Sequence, residues 1–254
     1  MVRDIIYQIS VFGDFVSIKP NPETIQMMIV KFSDYGLIPS IFQEGTFPIF
    51  PVSEIIKTET MNRLQMVSIE KSINVMFASN RIDINRASTD LNVGITNDDL
   101  SELLDILSKA VSGISSTRIG FNVTSLLDNP GVSLMQKIEP NLTFYDNSEE
   151  LMLRVNKRSD VTLDDSSENS NVILTLQKTM GQILISNRSI PIDDKLVLQF
   201  DINTIPEVSE PRFFYEQIKK YVLSAEKIRK NISTDLISEE VYNYVKSEYT
   251  CTGR

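Results

Sequence analysis

The residue types in the chain limit the catalytic chemistry it can carry. It contains no histidine and only one cysteine, Cys251. This composition excludes Ser-His-Asp and Cys-His catalysis, histidine-ligated zinc or iron, and acid–base catalysis by histidine. The nine glycines are scattered and form no phosphate-binding loop. What remains is the chemistry of carboxylates.

One carboxylate pattern is typical of a metal-dependent nuclease. Asp193 and Lys195 form an Asp-x-Lys pattern at the start of an apolar strand. In nucleases of the restriction-enzyme type, this spacing places an acid and a lysine on one strand face beside a divalent metal ion. The reaction needs a further acid, for which Asp160, Asp164 or Asp165 are the upstream candidates. The other interpretation is a charged turn that opens a strand.

A second group of polar residues could form a binding site. Arg118 and Asn122 fall on the same side of a predicted strand, because four residues separate them. Asp201 and Asn203 share one side of a later strand. If these two strands are neighbours, the four side chains form a polar cluster. The alternative is that they are ordinary outward-facing strand residues.

The polar segment 157–171 (KRSDVTLDDSSENSN) is predicted to be a mobile loop, because it has few apolar residues. Its acids Asp164, Asp165 and Glu168 lack the alternating spacing and the central glycine of a calcium-binding loop. The sequence therefore predicts no metal site and no cofactor.

The stretch 73–111 contains the clearest structural signals. Apolar residues alternate on both sides of Ser79-Asn80-Arg81, which predicts a β-hairpin. Thr96 or Asn97 can cap a helix over 98–112, and Gly113 can end it. The apolar stripe of this helix consists of Leu100, Leu103, Leu104, Leu107 and Val111.

A weaker copy of this plan follows later in the chain. Residues 182–204 contain a second Ser-Asn-Arg turn and a second alternating strand. A predicted helix over 210–230 follows, with an apolar stripe of Phe214, Ile218, Tyr221, Val222, Ala225 and Ile228. Asn21-Pro22 and Asn129-Pro130 are also matched, each before an apolar run. These matches predict a tandem repeat with halves 1–115 and 116–254; two unrelated halves of one α+β domain are the alternative.

The remaining segments complete the predicted α+β fold. We expect a first strand over 4–16, a helix from Pro22 to Tyr35, an irregular or edge strand over 37–50, strands over 64–84, and a final helix over 238–249. A short helix after Pro130 and strands near 142–144 and 150–155 are also expected. Two such halves predict largely antiparallel sheet, with the helices packed on one face.

Charge and hydropathy indicate the environment of the chain. Its net charge is −9, and no run of lysine and arginine would follow a phosphate backbone, so nucleic acid is not an expected partner. The basic residues of the last long helix, among them Lys227, Arg229 and Lys230, are interpreted as a solvated face. No apolar run has the length of a membrane helix. With one cysteine, the cytoplasm is the expected location.

Several short motifs together resemble a known family. They are Asn80-Arg81, the Arg-Ile-Gly-Phe-Asn run 118–122, and the Asp-Ile-Asn-Thr run 201–204, with the terminal helices. They are similar to those of a sporadically distributed family of uncharacterised bacterial and archaeal proteins of similar length. The resemblance implies no established activity. The patchy distribution of that family implies an accessory protein of a mobile or defence-associated system.

These observations favour a non-enzymatic cytoplasmic protein-binding module or complex subunit. Missing catalytic residue types, acidic charge and a duplicated architecture support it. A metal-dependent nuclease-like enzyme using Asp193 and Lys195 is the alternative, and a nucleic-acid-binding saddle is disfavoured by charge. We expect a protein partner and no membrane, with homo-oligomerisation left open.

Overall fold

The structure is a computed structural model that describes residues 2–45, 60–128, 150–163, 166–178, 181–185, 188–192, 195–208 and 210–237. Three predicted secondary-structure elements lie outside these residues: the final helix over 238–249, the short helix after Pro130 and the strand near 142–144.

The described residues form eleven strands. In chain order they are β1 (Val2–Phe12), β2 (Leu37–Gly45), β3 (Thr60–Ser68), β4 (Ile73–Phe77), β5 (Arg81–Ala87), β6 (Arg118–Asp128), β7 (Leu151–Leu163), β8 (Ser166–Lys178), β9 (Gln182–Ile185), β10 (Arg188–Pro191) and β11 (Lys195–Thr204).

Nine of these strands form one sheet in the order β2-β3-β4-β5-β1-β6-β11-β8-β7, and every neighbouring pair is antiparallel. Strands from residues 1–115 and from residues 116–254 therefore meet in one sheet, at the β1–β6 pair. β9 and β10 form a separate hairpin. β2 lies at one edge, where Pro39 is tolerated because an edge strand can lack an amide donor.

The described residues also form three α-helices, which are α1 (Pro22–Lys31), α2 (Asn97–Ala110) and α3 (Tyr215–Ile237). Asn21 caps α1 by accepting a hydrogen bond from the Thr24 amide. Thr96 and Asp99 form a reciprocal capping box at the start of α2. α1 ends before the predicted Tyr35, because a 3₁₀ turn (Ser33–Tyr35) and left-handed Gly36 follow it.

The main core contains buried residues of the sheet and of all three helices. Alternate residues of the central strand, Tyr7, Ile9 and Val11, are buried with residues such as Met28 of α1, Leu103 of α2 and Tyr221 of α3. The described chain is thus an α+β fold in which sheet predominates. A smaller apolar cluster of Ile5, Leu126, Ile192 and Val197 is separate from this core.

The prediction of a mobile loop over 157–171 is wrong. Its described residues, 157–163 and 166–171, belong to β7 and β8, two paired strands of 13 residues each. Val161 and Leu163 are the physical reason, since both are buried in the main core and pack this end of β7 against it. Polar residues elsewhere in the segment reflect a solvated edge strand.

The apolar stripe of α3 was predicted correctly at five of six residues, the exception being Phe214. Ile218, Tyr221, Val222 and Ala225 are fully buried and Ile228 packs against the core while partly buried, whereas Phe214 is 58% exposed. The buried aromatic is Phe213, which precedes the helix and pairs through its backbone with Ser116. The helix also begins later than predicted, at Tyr215.

Candidate binding site

The face of the sheet opposite the main core carries a row of polar side chains across five adjacent strands. The strand registers place Asn74, Asn85, Gln8, Asn122 and Asp201 side by side on β4, β5, β1, β6 and β11. Residues directly opposite one another in a sheet project from the same face. We call the face that carries this row the polar face.

The four residues predicted as a polar cluster lie together on the polar face. Asn122 is opposite Asp201 in the β6–β11 register. An Arg118 Nη atom donates to Asn203 Oδ1 at 2.9 Å, and Asn203 Nδ2 donates to Asp201 Oδ1 at 2.7 Å. Asn203 is buried and therefore links the cation to the carboxylate. The arrangement holds three of the four side chains by hydrogen bonds and leaves Asn122 without one.

The guanidinium of Arg118 is held on three sides. Its Nε donates to the Thr204 carbonyl at 3.1 Å, and its planar group lies 4.8 Å from the centre of the Phe12 ring. Cation–π contact and hydrogen bonds together fix its position. Arg118 is thus used within the fold and has little freedom to bind a ligand.

Next to this network the polar face contains a depression of about 380 Å³. The elements β1, β6, β11, β8 and β7 all contribute to it. Its polar side chains are Gln8, Asn122, Thr124, Arg154, Thr175, Gln199 and Asp201. We call it the polar-face depression.

Six of these seven side chains have no hydrogen bond or ion pair to any other described residue; Asp201, which accepts from Asn203, is the exception. Its two charged side chains are Arg154, which is exposed on β7 at one end, and Asp201 on β11. Polar groups that converge without internal partners are available to a ligand. Sequence reasoning missed Gln8, Thr124, Arg154 and Thr175, because only the strand register brings them together.

A second polar cluster lies on the core side, between β1 and α3. Arg229 donates to both carboxylate oxygens of Asp4 at 3.0 and 2.9 Å and to both oxygens of Glu226 at 2.7 Å. The Tyr7 hydroxyl lies 2.8 Å from Asp4 and 3.1 Å from Glu226. Ser125 donates to Asp4 at 2.6 Å. We call these five residues the ionic cluster.

The ionic cluster corrects the interpretation of Arg229 as part of a solvated helix face, since its side chain is only 3% exposed. Burial and the Asp4 carboxylate raise the pKa of Tyr7 well above its ordinary value, so the hydroxyl stays protonated. Burial lowers the pKa of Arg229, but its bonds to Glu226 and the charge of Asp4 outweigh this and raise it. No sequence pattern indicated a buried arginine here.

The carboxylate pattern proposed for a nuclease falls partly outside the described residues. Asp193, Asp164 and Asp165 lie there, whereas Lys195 is half-buried at the start of β11 and Asp160 is exposed on β7. Within the described ranges, no three His, Cys, Asp or Glu side chains are grouped so that they could hold a metal ion. The structure therefore leaves the pairing of Asp193 with Lys195 as a hypothesis.

Comparison of the chain with protein-family models found no match, and comparison with curated proteins found none either. No helix among the described residues is long and apolar enough to cross a membrane.

Proposed function

We propose that the chain is a non-enzymatic protein-binding module or complex subunit that holds its partner on the polar face. The polar-face depression carries this proposal, because six polar side chains there have no hydrogen-bonding partner in the described part of the protein. A partner that supplies the missing hydrogen bonds would gain binding free energy from them. An apolar partner surface would instead remove water from these groups without replacing its hydrogen bonds.

The nature of the partner follows from charge and residue type. A protein with a net charge of −9 repels the phosphates of nucleic acid, so the partner is another protein or a second copy of the chain. We place this interaction in the cytoplasm. The family resemblance adds the proposal that the module serves a mobile or defence-associated system.

We further propose that residues 1–115 and 116–254 are tandem pseudo-repeats with their helices on one face of the sheet. In support, β1 and β6 open the two halves and pair antiparallel at the centre, and each has the last strand of its own half, β5 or β11, on its other side. Among the described residues, the last element of each half is a helix, α2 or α3. A twofold relation would join the polar faces of both halves into one broad surface.

Replacing Asn122 tests the proposal, because this residue is central to the polar face and makes no side-chain hydrogen bond within the described residues. Asn122→Arg introduces a long cation there, and Ile69→Arg is the matched control at a position that is 82% exposed in the β3–β4 turn. Both proteins should fold, as circular dichroism will check.

We expect affinity capture from native cells to recover a stoichiometric protein with the wild type and with Ile69→Arg, but not with Asn122→Arg. Equal capture by all three proteins would contradict the polar face as the binding surface. Divalent-ion-dependent DNA cleavage that Asp193→Ala abolishes would contradict the non-enzymatic proposal and support the nuclease alternative.

A further inference from the structure

The polar-face depression has the dimensions of an extended peptide that crosses the strands. Its side chains form two rows: Gln8, Asn122 and Asp201 in one, and Thr124, Gln199, Thr175 and Arg154 in the other. The second row spans four strands, about 14 Å at roughly 4.8 Å per strand, and the rows are about 7 Å apart because two residues separate them along each strand. A chain of about four residues at 3.3 Å each covers the same length.

The residue types of the two rows suit a peptide backbone. Asn122, Gln8 and Gln199 each present a carbonyl acceptor and amide donors, and the two threonines present hydroxyls that do both. An extended backbone offers N–H and C=O groups on both of its sides in turn. Over β6 and β11, a chain lying between the rows therefore meets donors and acceptors on both sides, and over β8 and β7 it meets those of the second row.

The charges define one side chain of the occupant. Arg154 is exposed at the β7 end and has no hydrogen bond or ion pair within the described residues. The neighbouring cation on the same face of β7 is Arg158, which already pairs with Glu207 at 3.1 Å. Asp201, at the other row, has one oxygen bonded to Asn203. Among the described residues that line the depression, Arg154 is thus the cation without a partner, and a carboxylate is its complement.

We propose that the polar-face depression binds an extended segment of a partner protein, running across the strands from β6 to β7, and that Arg154 binds an aspartate or glutamate of that segment. The inference rests on the proposed protein-binding function and names the part of the partner that enters the site. Arg154 is a specificity residue, because it selects an acidic residue at one position of the bound segment.

A randomised nine-residue peptide array, incubated with the purified chain, tests this inference. We expect peptides selected by the wild type to share an Asp or Glu at one position. Replacing that acid by its amide should weaken binding about tenfold or more, because a charge-assisted bond to an exposed arginine is lost. Arg154→Gln should cause the same loss with acidic peptides and none with their amide analogues.

Two further variants sharpen the test. Arg154→Glu should reverse the preference, so that lysine replaces the acid at the same position, and Arg158→Gln is the matched control that should keep it. An array with no selected peptides, or an acidic preference unchanged in Arg154→Gln, would overturn the inference. If either of these array results is found while Asn122→Arg still abolishes capture of the partner protein, the binding function stands and only this inference fails.

Discussion

Arg229 is the best place to test the interaction that holds α3 on the sheet. Its guanidinium makes two bonds to Asp4 of β1 and two to Glu226, and the side chains of these three residues are 3%, 13% and 6% exposed. Arg229→Met keeps an unbranched apolar stem but removes the guanidinium, which leaves two carboxylates facing each other beside Tyr7. Breaking a buried ion pair by removing one partner typically costs about 3–5 kcal/mol. We therefore expect a loss of that size.

The assay is reversible urea unfolding followed by circular dichroism, with Arg158→Met as the matched control. Arg158 also pairs with a glutamate, but both side chains are more than half exposed, so its loss should cost less than about 1 kcal/mol. The melting temperature of Arg229→Met should fall by roughly 6–20 °C, at about 2–4 °C per kcal/mol for a chain of this size.

A triple variant separates the ion pair from the packing of the helix. Asp4→Asn, Glu226→Gln and Arg229→Met together remove all three charges, so much of the lost stability should return, because no uncompensated charge stays buried. If Arg229→Met is as stable as Arg158→Met, the ionic cluster does not anchor α3 and this reasoning is refuted.

Two further predictions concern α2 and β7. Burial raises the pKa of Asp99, but hydrogen bonds from Thr96 and the Arg86 charge outweigh it and hold this pKa below its ordinary value. The stability that this ionisation contributes is therefore complete above about pH 4 and is lost as pH falls through the lowered pKa. Asp99→Asn should lower the free energy of unfolding by about 1 kcal/mol at pH 7, and this difference from the wild type should shrink by pH 2.5 in urea titrations. A difference that stays constant with pH would contradict the prediction. Val161→Asp should cost about 3 kcal/mol or more, because Val161 is fully buried, whereas the same change at Val155, which is 51% exposed, should cost less than about 1 kcal/mol. Equal losses in thermal unfolding would show that the end of β7 near Val161 is not packed on the core more tightly than the end near Val155.

Much of the fold could be predicted from local pattern. The hairpin about Ser79-Asn80-Arg81 and the capped helix α2 follow from alternation, helical spacing and the Thr96 cap, which act within one segment. The edge position of β2 follows from Pro39. Local signals of this kind need no knowledge of the remaining chain.

The predictions that failed depend on contacts between distant segments. Residues 157–171 have the composition of a loop, yet Val161 and Leu163 give the strand pair enough apolar contact to pack on the core. Arg229 lies in a helix segment with the composition of a solvated face, and the contact with Asp4, 225 residues away in sequence, explains why it is buried. Composition cannot show a partner that the fold supplies.

The candidate site was predictable in the same partial way. Alternation placed Arg118 and Asn122 on one face and Asp201 and Asn203 on one face, but the pairing of the two strands had to come from the structure. Gln8 and Arg154 could not be assigned, because β1 and β7 contribute to the polar-face depression only through the order of strands in the sheet.

The polar row across the sheet is difficult to explain by folding alone. Asparagine and aspartate are depleted in strands, yet Asn74, Asn85, Asn122 and Asp201 occupy adjacent strands with Gln8 among them. Asn74 Oδ1 is also buried and accepts no hydrogen bond from the described residues. Because the main core on the opposite face already holds these strands, the polar row adds little to stability. Residue types that disagree with the preferences of their secondary structure are concentrated at functional sites. A partner bound along this row would account for the asparagines and the aspartate in these strands.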